Sequence, residues 1–129
     1  LKRFLEAQNV PYVEDEYDHH EWLSVITGLE DEPERGSRCS VCFQFRLSHA
    51  AKYAQEHGFH LLTTTLASSR WKNIRQIDTA GHLAVEAYPD VEWWDMNWRK
   101  GGLQNRRGEL LRINDFYNQL YCGCEFSMR

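Results

Sequence analysis

The sequence has no apolar run approaching the roughly eighteen residues needed to span a bilayer, so a transmembrane helix is not expected. No basic leader with an apolar stretch and a small-residue cleavage site precedes the first strand-like segment, which points to a cytoplasmic protein. Low-complexity tracts and internal repeats are absent, and prolines number only three. With 42% hydrophobic and 26% charged residues, the composition argues against disorder. A chain of 129 residues is long enough for one domain with a core and too short for two. A net charge of −4 is too small to announce a nucleic-acid partner through the field of the whole molecule. Cysteine is scarce as well: there are four, and all fall into two tight pairs, Cys39/Cys42 and Cys122/Cys124, about eighty residues apart. In a reducing cytosol such pairs are more often metal ligands or redox groups than structural disulfides.

Charge is unevenly placed. Residues 1–36 carry ten acidic and three basic side chains, residues 38–75 six basic and one acidic, and residues 96–112 five basic and one acidic. Solvated faces account for such runs, and so does a basic face around the cysteines that receives phosphates. The pattern along the chain predicts a strand over 10–18, a short helix over 20–29 stopped at Gly28, and a loop, EDEPERGSR, that leads into the first cysteine pair. Phe43, Leu47, Ala51 and Ala54 then recur at helical spacing, with Gly58 as the stop, so Cys39 and Cys42 lie near a helix N-terminus. A buried strand over 59–66, a serine-capped helix over 68–88, a strand over 90–96 and a last helix over 105–117 complete the series. Alternating strands and helices imply one α/β domain over 1–129, a parallel sheet with flanking helices. The opening LKRFLEAQ reads as helix with no capping signal ahead of it, so a further segment is expected upstream.

Residues three apart on a helix face the same way, so Cys39 and Cys42 can present two thiolates to one metal centre. The helix N-terminus and the neighbouring Arg38 and Arg46 are expected to lower their pKa values. A disulfide within Cys122-Gly123-Cys124 would close a very small ring and be easily reduced, which suits a redox couple better than a permanent brace. Gly123 permits the tight backbone. Zinc, an iron–sulfur cluster, redox chemistry and plain burial all remain open for the first pair, as does one zinc site made of all four cysteines, although their separation exceeds that of common zinc ribbons.

The motifs EDEPERGSRCSVCFQFRL, TTTLASSRWKN, NWRKGG and YCGCEFS together resemble the epoxyqueuosine reductase family of the QueH type, in order from Glu30 to Ser127. The resemblance implies a [4Fe-4S] oxidoreductase that reduces epoxyqueuosine to queuosine in the anticodon loop of tRNA, with that tRNA and an electron donor as partners. It implies that Cys39 and Cys42 are cluster ligands and that Cys122 and Cys124 are the redox-active pair. As a dithiol the second pair can supply electrons and end as a disulfide, or its thiolates can hold an additional iron that acts as a Lewis acid on the epoxide oxygen. Two departures stand out. The family usually carries proline and histidine where this chain has Arg70 and Trp71, and its members begin with a strand and a Cys-Cys-x-x-Cys segment that is not in this sequence. Two cluster ligands would lie in that segment, so these 129 residues are not expected to be active by themselves. By the same resemblance the fold is the C-terminal part of an adenine-nucleotide hydrolase-like (HUP-type) domain with a helical cysteine-containing tail.

Other residues admit two readings. Lys72, Arg99, Lys100, Arg106 and Arg107 are the candidate phosphate contacts, with Trp71 and Trp98 placed beside cations to stack unpaired bases. His19 and His20 are either metal ligands or an exposed pair near a helix start. Thr63, Thr64 and Thr65 end a strand, where α/β proteins place ligand contacts, or are simply β-branched strand residues. At least one of Trp93 and Trp94 should face the core, because a strand alternates. The reading from a different class is a zinc-stabilised RNA-binding module without redox activity.

Overall fold

A computed structural model describes residues 1–16 and 18–128. In chain order these form α1 (Lys2–Ala7), α2 (His19–Val25), α3 (Ser37–Glu56), β1 (Leu61–Leu62), α4 (Ile74–Glu86), β2 (Glu92–Trp93) and α5 (Leu103–Ile113), with 3-10 turns at Thr65–Ser68 and Glu125–Ser127. The architecture is mixed α/β around a two-stranded parallel sheet, in which Leu61 pairs with Glu92 and Leu62 with Trp93.

Helix α3 is the spine. Its apolar positions Cys39, Phe43, Leu47, Ala51 and Ala54 lie on one buried stripe, which packs chiefly against α4. Gly58 at φ +74° ends it, a left-handed conformation that glycine adopts without strain. Helix α4 answers with Ile77, Ala80, Gly81 and Ala84. Gly81 lets the Trp93 ring lie directly on the helix, since a methyl group there would overlap that ring. Trp93 is accordingly half-buried while Trp94 is exposed, as strand alternation requires. We expect Gly81→Ala to destabilise the fold despite the ~1 kcal/mol that alanine gains in a helix, because overpacking costs about 1–3 kcal/mol. An unchanged denaturation midpoint would show that Trp93 shifts freely.

Five expectations need correction. The described residues of 10–18 form no strand, and Tyr17 lies outside them. A strand needs a neighbour for its backbone groups; here the segment lies instead against α1, through Lys2 Nζ to Glu14 Oε2 (2.6 Å) and Tyr12 Oη to Glu6 Oε1 (3.0 Å). The strand expected over 59–66 shrinks to two residues because the Thr64 hydroxyl accepts the Leu66 N–H (3.2 Å) and turns the chain. Helix α4 starts five residues after Ser69, capped by Asn73, whose side chain accepts the Arg75 N–H (3.0 Å). The intervening residues turn around Ser69, whose Oγ accepts the Trp71 N–H (3.3 Å). Helix α5 begins and ends before the expected 105–117, starting after Gly101 and Gly102, both at positive φ. The cysteine-containing tail beyond it has no helix except the 3-10 turn at Glu125–Ser127.

Candidate functional site

The two cysteine pairs meet. A cavity of about 780 Å³ is lined by Cys39 and Cys42 from the first turns of α3 and by Cys122 and Cys124 from the tail, together with Trp71 and Lys72. All four cysteines are free thiols.

Local geometry explains how each side is held. Arg35 has φ +70°, rare for a residue with a side chain, and this turn aims its N–H at Cys39 Sγ (3.3 Å). Its guanidinium donates to the carbonyls of Arg70 (2.9 Å) and Trp71 (3.3 Å), tying the 70–72 turn to the start of α3. The indole N–H of Trp22 donates to Cys42 Sγ (3.3 Å). Lys72 Nζ donates to the Cys122 carbonyl (3.3 Å), and Gly123 sits at φ +96°, the tight backbone that a Cys-Gly-Cys segment requires.

Arg38 fastens the tail. It is 1% exposed, and its Nη1 donates to the carbonyls of Leu29 (3.3 Å), Glu30 (3.0 Å) and Glu32. Its Nη2 donates to Ser127 Oγ (3.0 Å), and its guanidinium lies 5.6 Å from the centre of the Phe126 ring. Phe126 in turn stacks on Trp22, at 6.2 Å between ring centres, and Glu125 Oε1 lies 3.0 Å from His19 Nε2. Three successive residues thus pin the tail to α2 and α3 immediately after Cys124. Arg38→Met should cost roughly 3 kcal/mol, since it removes several charge-assisted hydrogen bonds made by a buried guanidinium. It should also erase the near-ultraviolet dichroism of the Trp22–Phe126 stack at temperatures where the fold persists. Retention of that signal would mean that the tail is held without Arg38.

The expected lowering of the cysteine pKa values is reversed. Burial pushes both Cys39 and Cys42 above the usual thiol range; the Arg35 N–H and then Arg38 offset part of this at Cys39, and the Trp22 N–H and then Arg46 at Cys42. Arg38 turns its Nη1 to carbonyls and its Nη2 to Ser127, and desolvation outweighs its attraction for the thiolate. Burial also pulls the Lys72 ammonium below the ordinary lysine range, with Cys122 opposing and Arg46 reinforcing the shift.

Among the described residues no three His, Cys, Asp or Glu side chains converge to hold one metal ion. Cys39 and Cys42 do suit a share of a larger thiolate ligand set. They are softly coordinating donors on one helix face, each sulfur already accepts an N–H, and such hydrogen bonds tune metal–sulfur centres.

Among the other expected residues, Arg107 borders an adjoining cavity, whereas Arg99, Lys100 and Arg106 line neither, and Arg106 pairs with Glu109 (3.0 Å). His19 borders the thiol cavity and His20 does not. Thr63 donates to the Trp94 carbonyl (3.1 Å), Thr64 caps the 3-10 turn, and Thr65 borders the adjoining cavity. Trp98 packs edge-on against Trp94, 5.4 Å between ring centres, rather than in either cavity. Trp22 and Arg35 escaped the sequence reading. An aromatic residue inside the acidic HHEWLSV segment was the available signal for the first, and backbone strain at Arg35 left none.

The protein-family model described as Epoxyqueuosine reductase QueH matches residues 1–129. The curated protein named Epoxyqueuosine reductase QueH from Histophilus somni is 48% identical over 127 residues, covering 98% of this chain and 52% of the relative. Its namesakes from Acinetobacter baylyi and Haemophilus influenzae are 45% and 46% identical, each over 98% of this chain and over 58% and 52% of the relative. The chain spans about half the length of the curated relatives it matches.

Proposed function

The chain belongs to the epoxyqueuosine reductase QueH family, and on that premise we propose that it forms the thiol-bearing part of an oxidoreductase that reduces epoxyqueuosine to queuosine in the anticodon loop of tRNA. The observation that carries the reading is the convergence of Cys39, Cys42, Cys122 and Cys124 on one cavity from opposite ends of the chain. A redox reaction on a bulky RNA base needs its electron source and its substrate-facing groups within one such space.

Cys39 and Cys42 would be two ligands of a [4Fe-4S] cluster, with the remaining ligands supplied by parts of the full-length protein outside these 129 residues. Such a cluster, when bound, supplies single electrons. Cys39 is buried and Cys42 half-buried, and the N–H groups of Arg35 and Trp22 orient their sulfurs. Cys122 and Cys124 face the same space, where their two S–H groups hold two protons and two electrons. Conversion of the epoxide to an alkene with release of oxygen as water takes up that number of each, and the pair becomes a disulfide. Lys72 fixes the Cys122 carbonyl and so the place of this pair. An additional iron held by Cys122 and Cys124 is the other use of the same two sulfurs.

The two-stranded parallel sheet with α4 between its strands is consistent with the edge of a larger parallel sheet, completed in the full-length protein as in the adenine-nucleotide hydrolase-like fold. A tRNA substrate supports a cytoplasmic activity. No helix among the described residues is long and apolar enough to cross a membrane. Lys72, Arg99, Lys100, Arg106 and Arg107 are the proposed cations toward RNA.

The full-length protein purified without oxygen should be brown, contain iron and acid-labile sulfide, and convert epoxyqueuosine-bearing tRNA to queuosine when given a low-potential reductant. A colourless protein with stoichiometric zinc and no conversion would replace this reading with a zinc-stabilised RNA-binding module.

A further inference from the structure

A second cavity of about 260 Å³ adjoins the thiol cavity, and its walls are built from the 65–72 turn, α3, α5 and the tail. Four cations reach it: Arg46, Arg70, Lys72 and Arg107. No aspartate or glutamate lines it, although the chain as a whole is acidic.

None of the four forms a salt bridge among the described residues. The contrast with the neighbouring Arg106 is informative: Arg106 takes the carboxylate of Glu109, the acid nearest on α5, while Arg107 faces the cavity without one. Arg70 lies over the Trp71 ring, 4.6 Å from its centre, and so keeps its charge in the open. Holding four like charges around one small space is unfavourable unless an anion sits between them. Hydroxyl donors are at hand, because Ser69 Oγ accepts the Trp71 N–H and keeps its own proton to give. Lys72, Trp71 and Cys122 line both cavities, so an anion in the second lies one side chain away from the thiols.

We propose that the second cavity seats one backbone phosphodiester of an RNA loop, held by Arg46, Arg70, Lys72 and Arg107, so that the base of the attached nucleotide turns past Trp71 into the thiol cavity. Single-stranded RNA is read in this way, with the base splayed out onto an aromatic ring and the phosphate held by cations. The identity of the nucleotide rests on the reductase reading; the anion seat does not.

The test uses the full-length protein and anticodon stem-loops in which each loop phosphate in turn is replaced by a neutral methylphosphonate. One position should lose about tenfold in affinity, and Arg46→Met and Arg107→Met should each weaken binding of the native loop and flatten its logarithmic salt slope by about one unit. With the loop neutral at that position, the same substitutions should cost nothing further. Losses spread evenly over the loop, or substitutions that add to every methylphosphonate alike, would overturn the seat. If Arg107→Met fails to fold, Arg46→Met and Arg70→Met decide the matter alone. Should the unsubstituted protein bind no stem-loop, the reductase reading falls and inorganic phosphate becomes the probe. Saturable binding of one ion that Arg46→Met abolishes would then uphold the seat, and no saturable binding would overturn it.

Discussion

Cys122→Ser and Cys124→Ser, made in the full-length protein, should each abolish turnover, a loss of roughly a thousandfold or more, while affinity for tRNA and the iron content assigned by the proposal to Cys39 and Cys42 stay at their original levels. A serine hydroxyl neither gives up electrons at the potential of a thiol nor pairs with a second sulfur, so one substitution disables both members, and residues that act as a unit lose their effect together. The fold should survive, since the tail is fastened beyond Cys124 by Phe126 and Ser127 on Arg38 and not by the cysteines themselves. Loss of the cluster in either variant would mean that all four sulfurs serve one metal site. Trapping of thiols after a single turnover separates the two uses of the pair: a new disulfide identifies a dithiol, and unchanged thiols with extra bound iron identify a metal site.

Replacement of Cys39 or Cys42 by alanine should strip the cluster from the full-length protein and with it the brown colour, the iron and the activity. Thiolates hold such clusters, and a centre deprived of one of them binds poorly. Burial raises the pKa of both thiols, so a metal that binds them works against that shift in displacing their protons. Cys42→Ala should leave α3 largely undisturbed, because Cys42 is half-buried and alanine favours a helix, whereas Cys39 lies in the core and its replacement removes one buried sulfur. Iron content equal to that of the unsubstituted protein in both variants would remove these residues from the ligand set.

Much of this arrangement was legible from residue order. Helix α3, its stop at Gly58 and the position of Cys39 and Cys42 near its start follow from the 3.6-residue recurrence of Phe43, Leu47, Ala51 and Ala54, because a long amphipathic stripe has one way to be buried. The inward turn of one tryptophan at 93–94 follows from the two-residue period of a strand. The ordered motifs from Glu30 to Ser127 were sufficient to indicate the family. Strands and the tail were less legible. A β segment exists only where a second segment lies beside it, so 10–18 reads as strand and forms none within the described residues, and 59–66 keeps only the two residues that meet Glu92 and Trp93.

What the sequence by itself determined is therefore the inventory: four thiols in two pairs, a helix that presents one of them, a glycine that lets the other turn tightly, and basic stretches around both. The tertiary structure alone decided that the pairs share a cavity, that Arg38 clamps the tail and offsets only part of the burial of Cys39, and that Arg46, Arg70, Lys72 and Arg107 surround one space while Arg106 pairs with Glu109. The reason is physical: helical periodicity is local and set by neighbours three and four positions away, whereas convergence, desolvation and the pairing of charges depend on groups dozens of residues apart that only packing brings together.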